Sequence, residues 1–156
     1  MDRKDLALLG LLQLDASLPI STLAEKVSLS PTACWKRIQR LTKEGIIRRQ
    51  VCLLDRRKLD LGVTVFVGVK TSQHNVGWLE QFTSGVRALP EVVEFYRMSG
   101  DVDYLLKVVV SDIEGFDRVY KKIIETAEIF DVSSSFSMEE LKYTTALPLD
   151  SAAVGR

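Results

Sequence analysis

The sequence predicts an α+β chain: an N-terminal (winged) helix-turn-helix domain followed by a C-terminal ferredoxin-like βαββαβ domain. Three observations carry this. Apolar residues in the first fifty positions recur at helical spacing in three short segments, the third strongly basic. At Val63 the period changes from about 3.6 to 2, and the segments from there read strand, helix, strand, strand, helix, strand. The net charge of +0 also conceals a division, since residues 1–70 hold 13 Lys/Arg against 7 Asp/Glu and residues 71–156 hold 8 against 14. Two modules with different partners fit that asymmetry, the basic one meeting a polyanion. The expected boundaries are 1–50 for the helix-turn-helix, 51–62 for a connecting strand and linker, 63–149 for the second module and 150–156 for a tail.

A chain of 156 residues with 46% hydrophobic content has room for one ordinary domain or two small ones. No apolar run approaches the roughly 20 residues of a membrane span. The start, Met1-Asp2-Arg3-Lys4-Asp5, lacks the pattern of a secretory signal, so a cytoplasmic location is expected, and the two cysteines, Cys34 and Cys52, suit it. The one histidine, His74, lies in a polar, loop-like stretch without a cysteine cluster, so no zinc site is expected.

Asp2 can cap a first helix carrying Leu6, Leu8, Leu9 and Leu12, ended by Ser17-Leu18-Pro19. A second helix is expected from Ser21 or Thr22, where Thr22 and Glu25 have capping-box spacing, and it buries Leu23, Ala24 and Val27. Ser30 then stands as an N-cap before Pro31 at the first helical position, and a third helix runs to about Lys43 with Gly45 placed to stop it. Short helix, tight turn and longer cationic helix is the helix-turn-helix layout.

Turning the third helix about 100° per residue places Cys34, Ile38 and Leu41 on the core side. Thr32, Lys36, Gln39, Arg40 and Lys43 fall opposite, with Ala33 at the edge and Trp35 and Arg37 on the shoulders. All four charges between Ser30 and Lys43 are positive, where a merely solvated helix would mix signs. Double-stranded DNA is therefore the expected partner. Lys36 and Arg40 could donate to guanine or phosphate, Thr32 and Gln39 could reach base edges, and Ala33 could touch a thymine methyl group. Ser30 at the helix start favours a phosphate. Arg48 and Arg49, in the strand-like run 46–54, would flank the DNA backbone. Which side chains read bases and which hold phosphate stays open. Cys34 reads as a small buried apolar residue, and Trp35 as a packing residue or domain contact in preference to one stacked on DNA.

In the second half Val63, Val65, Val67 and Val69 alternate along one strand, and Trp78 to Leu89 reads as a helix between Gly77 and Pro90. Val92–Met98 and Tyr104–Val110 are strands joined by a turn-rich loop, Asp112 caps a second helix, and a last strand runs from about Val132 to Met138. Helices on one face of such a sheet leave the other to be covered, so Phe66, Tyr96 and Met98 mark an expected dimer surface. An amino-acid-binding regulatory subunit or an enzyme of amino-acid metabolism is the rival reading. It lacks support, because the sequence offers no Gly-rich phosphate loop, no defensible nucleophile–histidine arrangement and no ligand cluster. No catalytic residue, metal or cofactor is expected.

Asp5, Leu29-Ser30-Pro31-Thr32 with Cys34 and Arg37, Leu41 through Gly45 and Ile46, and Ser99-Gly100-Asp101 with Asp103-Tyr104 together resemble the leucine-responsive regulatory protein/AsnC family of transcription regulators, over residues 2–149. Ser28 stands at a turn position where that family commonly carries glycine or asparagine. The resemblance implies a RAM/ACT-like second module and dimers that assemble further, to an octamer among other sizes. It also implies a small amino-acid effector bound where second modules of neighbouring subunits meet. Carried over to this sequence, the effector motif is Ser99, Gly100, Asp101, Asp103 and Tyr104, with Met98 adjoining and Ser134, Phe136 and Met138 bordering from the last strand. On the residues alone, Gly100-Asp101 reads first as an ordinary hairpin turn, and only the resemblance turns it into an effector site. Cys34-Trp35-Lys36-Arg37, Ser135 to Glu139, Lys142-Tyr143-Thr144-Thr145 and Leu147-Pro148 look like the branch of cysteine-responsive regulators, which implies cysteine or another sulphur amino acid as effector.

Overall fold

The computed structural model describes residues 1–73 and 75–149, so His74 and the predicted tail from Asp150 lie outside the described residues. The chain divides into two compact units, Met1–Leu53 with the segment that begins at Lys142, and Leu54–Leu141.

The first unit holds α1 (Arg3–Leu14), α2 (Ile20–Lys26) and α3 (Pro31–Lys43) around Leu8, Leu23, Ala24, Val27, Cys34 and Ile38. Asp2 caps α1 in a reciprocal box with Asp5. The expected Thr22 cap does not form: α2 begins at Ile20, where Pro19 has its φ preset near −57° and its carbonyl already accepts from Leu23. Ser28 follows α2 in the left-handed region at φ 53°, with its N–H on Glu25 and that of Leu29 on Ala24, a Schellman ending without glycine. Gly45, at φ 75°, closes α3 the same way, its N–H on Thr42 and that of Ile46 on Leu41. The segment from Lys142 returns to α1, where the Gln13 side-chain amide donates to the Leu147 carbonyl (3.2 Å) and accepts from its N–H (2.7 Å).

The expected strand over 46–54 is absent. A strand exists only by pairing, and among the described residues nothing pairs with this run, so no wing hairpin follows α3. Val51, Leu53 and Leu54 stand exposed along it.

The second unit opens with a 3₁₀ turn, Arg56–Leu59, and continues as β1 (Val63–Lys70), α4 (Val76–Arg87), β2 (Val92–Arg97), β3 (Tyr104–Val110), α5 (Ile113–Thr126) and β4 (Asp131–Phe136). The sheet order is β2-β3-β1-β4 with every pairing antiparallel. α4 starts two residues ahead of Trp78 because Asn75 caps it, accepting from the Trp78 N–H. Val65, Val67 and Val69 of β1 and Leu106, Val108 and Val110 of β3 share one buried face with Phe82, Val86, Phe116, Val119 and Ile123 of the helices. On the other face Phe66, Tyr96 and Met98 are exposed beside the Lys107–Glu94 ion pair, Nζ to Oε1 2.9 Å.

Gly85 lets the two helices meet. A Cβ there would lie 2.6 Å from Thr126 Cγ2 and 2.8 Å from its Cβ, and Thr126 is held by its hydroxyl bond to the Ile123 carbonyl. Gly85→Ala should therefore destabilise this unit by about 1–3 kcal/mol despite the better helix propensity of alanine, read as a lower urea midpoint.

Candidate DNA-reading face and effector loop

Ser30 accepts from the Ala33 N–H at 3.2 Å, Pro31 occupies the first position of α3, and Cys34, Ile38 and Leu41 are buried. That seating fixes the outer face: Thr32, Lys36, Gln39 and Lys43 are exposed, Ala33 is half-buried at their edge, and Trp35 projects to solvent. Trp35 is only half exposed, so part of its ring is covered. Burial pushes the Cys34 thiol up, which keeps it protonated and unreactive. Arg48 and Arg49 are exposed on the unpaired run after α3.

Arg37 and Arg40 differ from expectation in being engaged within the unit. Arg37 Nη1 donates to Asp5 Oδ1 and to Asp2 Oδ2, both at 2.7 Å, and Arg40 Nη2 donates to Asp5 Oδ2 at 2.6 Å. Asp5 is 1% exposed. Burial alone would raise its carboxyl pKa, but the Asp2 N–H and the two guanidinium groups outweigh that and lower it to about 2. Because the folded value lies below the ordinary 3.8, the carboxylate stabilises the fold above that pH, and the contribution disappears as pH falls toward 2. Sequence reasoning missed this pairing, although a signal was present. Asp5 sits one turn before Leu8 and Leu9 on the stripe that faces the core, and a buried acid demands a cation.

In the second unit the β2–β3 loop is pinned at its base. The Met98 N–H donates to the Asp103 carbonyl, the Asp103 N–H to the Val69 carbonyl, and the Asp103 carboxylate accepts from the Thr71 N–H at 2.9 Å. Val102 folds over Gly68, where a Cβ would lie 3.0 Å from its Cγ1. Ser99, Gly100 and Asp101 are left exposed at the tip, with Gly100 at φ 129°, a conformation side chains rarely adopt. Tyr104 is not at the tip. Its ring is buried, with centroids 5.1 Å from Phe82 and 5.8 Å from Phe95, because it lies in phase with Leu106 and Val108 on the core face. It borders the loop through its backbone.

Phe136 packs edge-on against Phe116 at 5.2 Å, Ser134 is exposed, and Met138 lies beyond the end of β4, 96% exposed. Phe136 and the loop lie toward opposite ends of β1, where Val65 pairs with Phe136 and Val69 with Tyr104, while Ser134 pairs with Val67 between them. Four residues of strand separate the two, roughly 13 Å. Within one chain Phe136 and Met138 stay apart from the loop residues. An open groove of about 360 Å³ between the end of α5 and the start of β4 is lined by Tyr120, Ile124, Phe130 and Val132 among others, and none of the predicted residues lines it.

With a basic α3 seated on a three-helix unit and a second unit built on the antiparallel β2-β3-β1-β4 sheet, comparison with known proteins decides the family. Residues 1–42 match the AsnC-type helix-turn-helix domain and residues 64–147 the Lrp/AsnC ligand binding domain. The chain belongs to the Lrp/AsnC family. It is 48% identical over 149 residues to the glutamate uptake regulatory protein of Zymomonas mobilis, covering 96% of this chain and 91% of that protein. The crystal structure of an AsnC family transcriptional regulator from Agrobacterium tumefaciens superposes with a TM-score of 0.95 at 55% identity, over 98% of this chain and all of that one. A transcriptional regulator of Neisseria meningitidis, solved in complex with L-methionine, superposes at 0.91 with 33% identity, over 96% of this chain and 97% of that one. As a member of the Lrp/AsnC family the chain is a DNA-binding transcriptional regulator and not an enzyme. No helix among its described residues is long and apolar enough to cross a membrane.

Proposed function

We propose that this Lrp/AsnC regulator acts in the cytoplasm as a dimer or larger assembly, placing two copies of α3 in successive major grooves of a roughly palindromic operator, and that a small amino acid controls it. The observation that carries the DNA reading is the outer face of α3, where Thr32, Lys36, Gln39 and Lys43 stand exposed with no acid among them while Cys34, Ile38 and Leu41 hold the helix down. Ser30 and the exposed Arg48 and Arg49 supply phosphate contacts at either end of that face, and the partly exposed Arg37 and Arg40 add oriented donors at its side.

For the effector, Ser99, Gly100 and Asp101 offer free backbone N–H groups and a carboxylate, the chemistry that holds an amino acid's carboxylate and ammonium. Met98 adjoins that loop, and Phe136 and Met138, separated from it along β1, would complete the pocket from a neighbouring subunit together with Ser134. The L-methionine held by the Neisseria relative favours a sulphur amino acid here. Such a ligand acts by binding one arrangement of subunits better than another, and a coupling of about 1–3 kcal/mol changes DNA affinity roughly 5- to 150-fold.

Two measurements test this. Selection from random duplexes should enrich a motif with two half-sites about one helical turn, or a multiple of it, apart. Isothermal titration with the twenty amino acids, cysteine and methionine first, should show heat for at least one. A featureless selection refutes the sequence-specific reading, and no heat from any amino acid refutes the effector.

A further inference from the structure

The Asp5 carboxylate spans two side chains of the helix we read as DNA-reading. One oxygen accepts from Arg37 at 2.7 Å and the other from Arg40 at 2.6 Å, while the Asp2 N–H donates to Oδ2 at 2.9 Å. The three residues lie on α1 and α3, whose shared core of Leu8, Cys34 and Ile38 fixes the distance between them. The carboxylate is 1% exposed, but the arginine side chains are 27% and 45% exposed, so they run from an enclosed anchor to the surface at the side of α3.

Each guanidinium carries five N–H donors in a rigid plane, and the bond to Asp5, with a second from Arg37 to Asp2 at 2.7 Å, leaves others to face outward in a set direction. A free arginine gives up its rotamer freedom when it is fixed on a ligand. An arginine already fixed has lost most of that during folding. Pairing also moderates the charge that two loose cations would offer to any phosphate, which is the component of DNA affinity that ignores sequence.

We propose that Asp5 is a positioning residue for DNA recognition, which presets Arg37 and Arg40 beside the reading face of α3 and so raises discrimination between operator and other DNA. This rests on the assignment of α3 as the reading helix. It makes Asp5 a determinant of specificity without contact to DNA.

The test is Asp5→Asn in the full-length protein, since asparagine keeps the shape and can still accept from the Asp2 N–H. Affinities for the selected operator and for a scrambled duplex are measured across a salt series, alongside helix content and oligomeric state. The expected result is a specific-to-nonspecific ratio lower by about ten-fold or more, with nonspecific binding tightened and its salt dependence steeper by about 1–2 in slope, as the released Arg40 side chains find phosphates in a dimer while Arg37 keeps its bond to Asp2. Operator and scrambled affinities falling together, with ratio and slope unchanged, would mean that Asp5 only supports the fold and would overturn the proposal. If Asp5→Asn does not fold, Arg40→Lys decides: lysine keeps the charge but not the planar fork, so the ratio should fall at least several-fold with nonspecific affinity unchanged, and an unaltered ratio overturns the proposal. Failure of the underlying assignment is separately visible, because Lys36→Ala would then leave operator binding intact.

Discussion

If the protein binds as the proposed dimer, Lys36→Ala should weaken operator binding by between about thirty-fold and twenty-thousand-fold. Lys36 is exposed in the middle of α3, and no ion pair or hydrogen bond holds it among the described residues. Its ammonium is therefore available in full to DNA, unlike the guanidinium groups of Arg37 and Arg40. A good contact from one side chain to a guanine edge is worth about 1–3 kcal/mol, and two-fold symmetry counts each substitution twice, giving about 2–6 kcal/mol. A mobility shift at fixed salt reads the loss, and a salt series identifies its kind. Were Lys36 a phosphate contact, binding would weaken on all sequences and the salt slope would shrink by about two per dimer. Were it a base contact, only the operator would suffer. Lys121→Ala, in α5 and paired with Asp117, serves as the control and should change neither.

Phe82→Ala should cost about 3–5 kcal/mol and abolish cooperative unfolding of the second unit at ordinary temperature. The Phe82 ring is fully buried, stacked on Trp78 at 4.8 Å, edge-on to Phe95 at 5.7 Å and 5.1 Å from Tyr104. Truncation removes the transfer energy of the ring, leaves a cavity among stiff aromatic neighbours and forfeits their mutual geometry. A typical domain has only about 5–15 kcal/mol in total. Amide exchange should show protection lost across β1 to β4 while α1 to α3 keep theirs, because Leu8, Leu23, Cys34 and Ile38 form a separate core. Loss of protection in both at once would mean that the units unfold as one. Amino-acid binding should vanish with the second unit.

The contrast between these sites reflects what could be read before the fold was known. β1 and β3 were legible to the residue, β1 from the valines at every second position from Val63 to Val69 and β3 from an apolar, β-branched run bounded by turns, in which Lys107 marks the outer face. The phase opposite Lys107 places Tyr104 on the core face with Leu106 and Val108. Assigning its side chain to the effector loop followed the family motif instead of the phase of the strand. The start of α2 was misplaced because Thr22 and Glu25 have capping spacing, yet Pro19 one turn earlier already supplies the first helical carbonyl. The run 46–54 has the composition of a strand, but composition cannot supply a partner.

By itself the sequence determined the two-module plan, the seating of α3 and the helices behind one face of a sheet, since these follow from local signals: caps, glycine stops and apolar periods of 3.6 and 2. Tertiary structure alone decided which cations of α3 are available. Arg40 lies on the outer sector of its helix, and only the packing of α1 against α3 brings Asp5 within 2.6 Å of it. A helical period fixes the direction in which a side chain leaves the backbone; where a long, flexible arginine comes to rest depends on the charge that another element buries beside it.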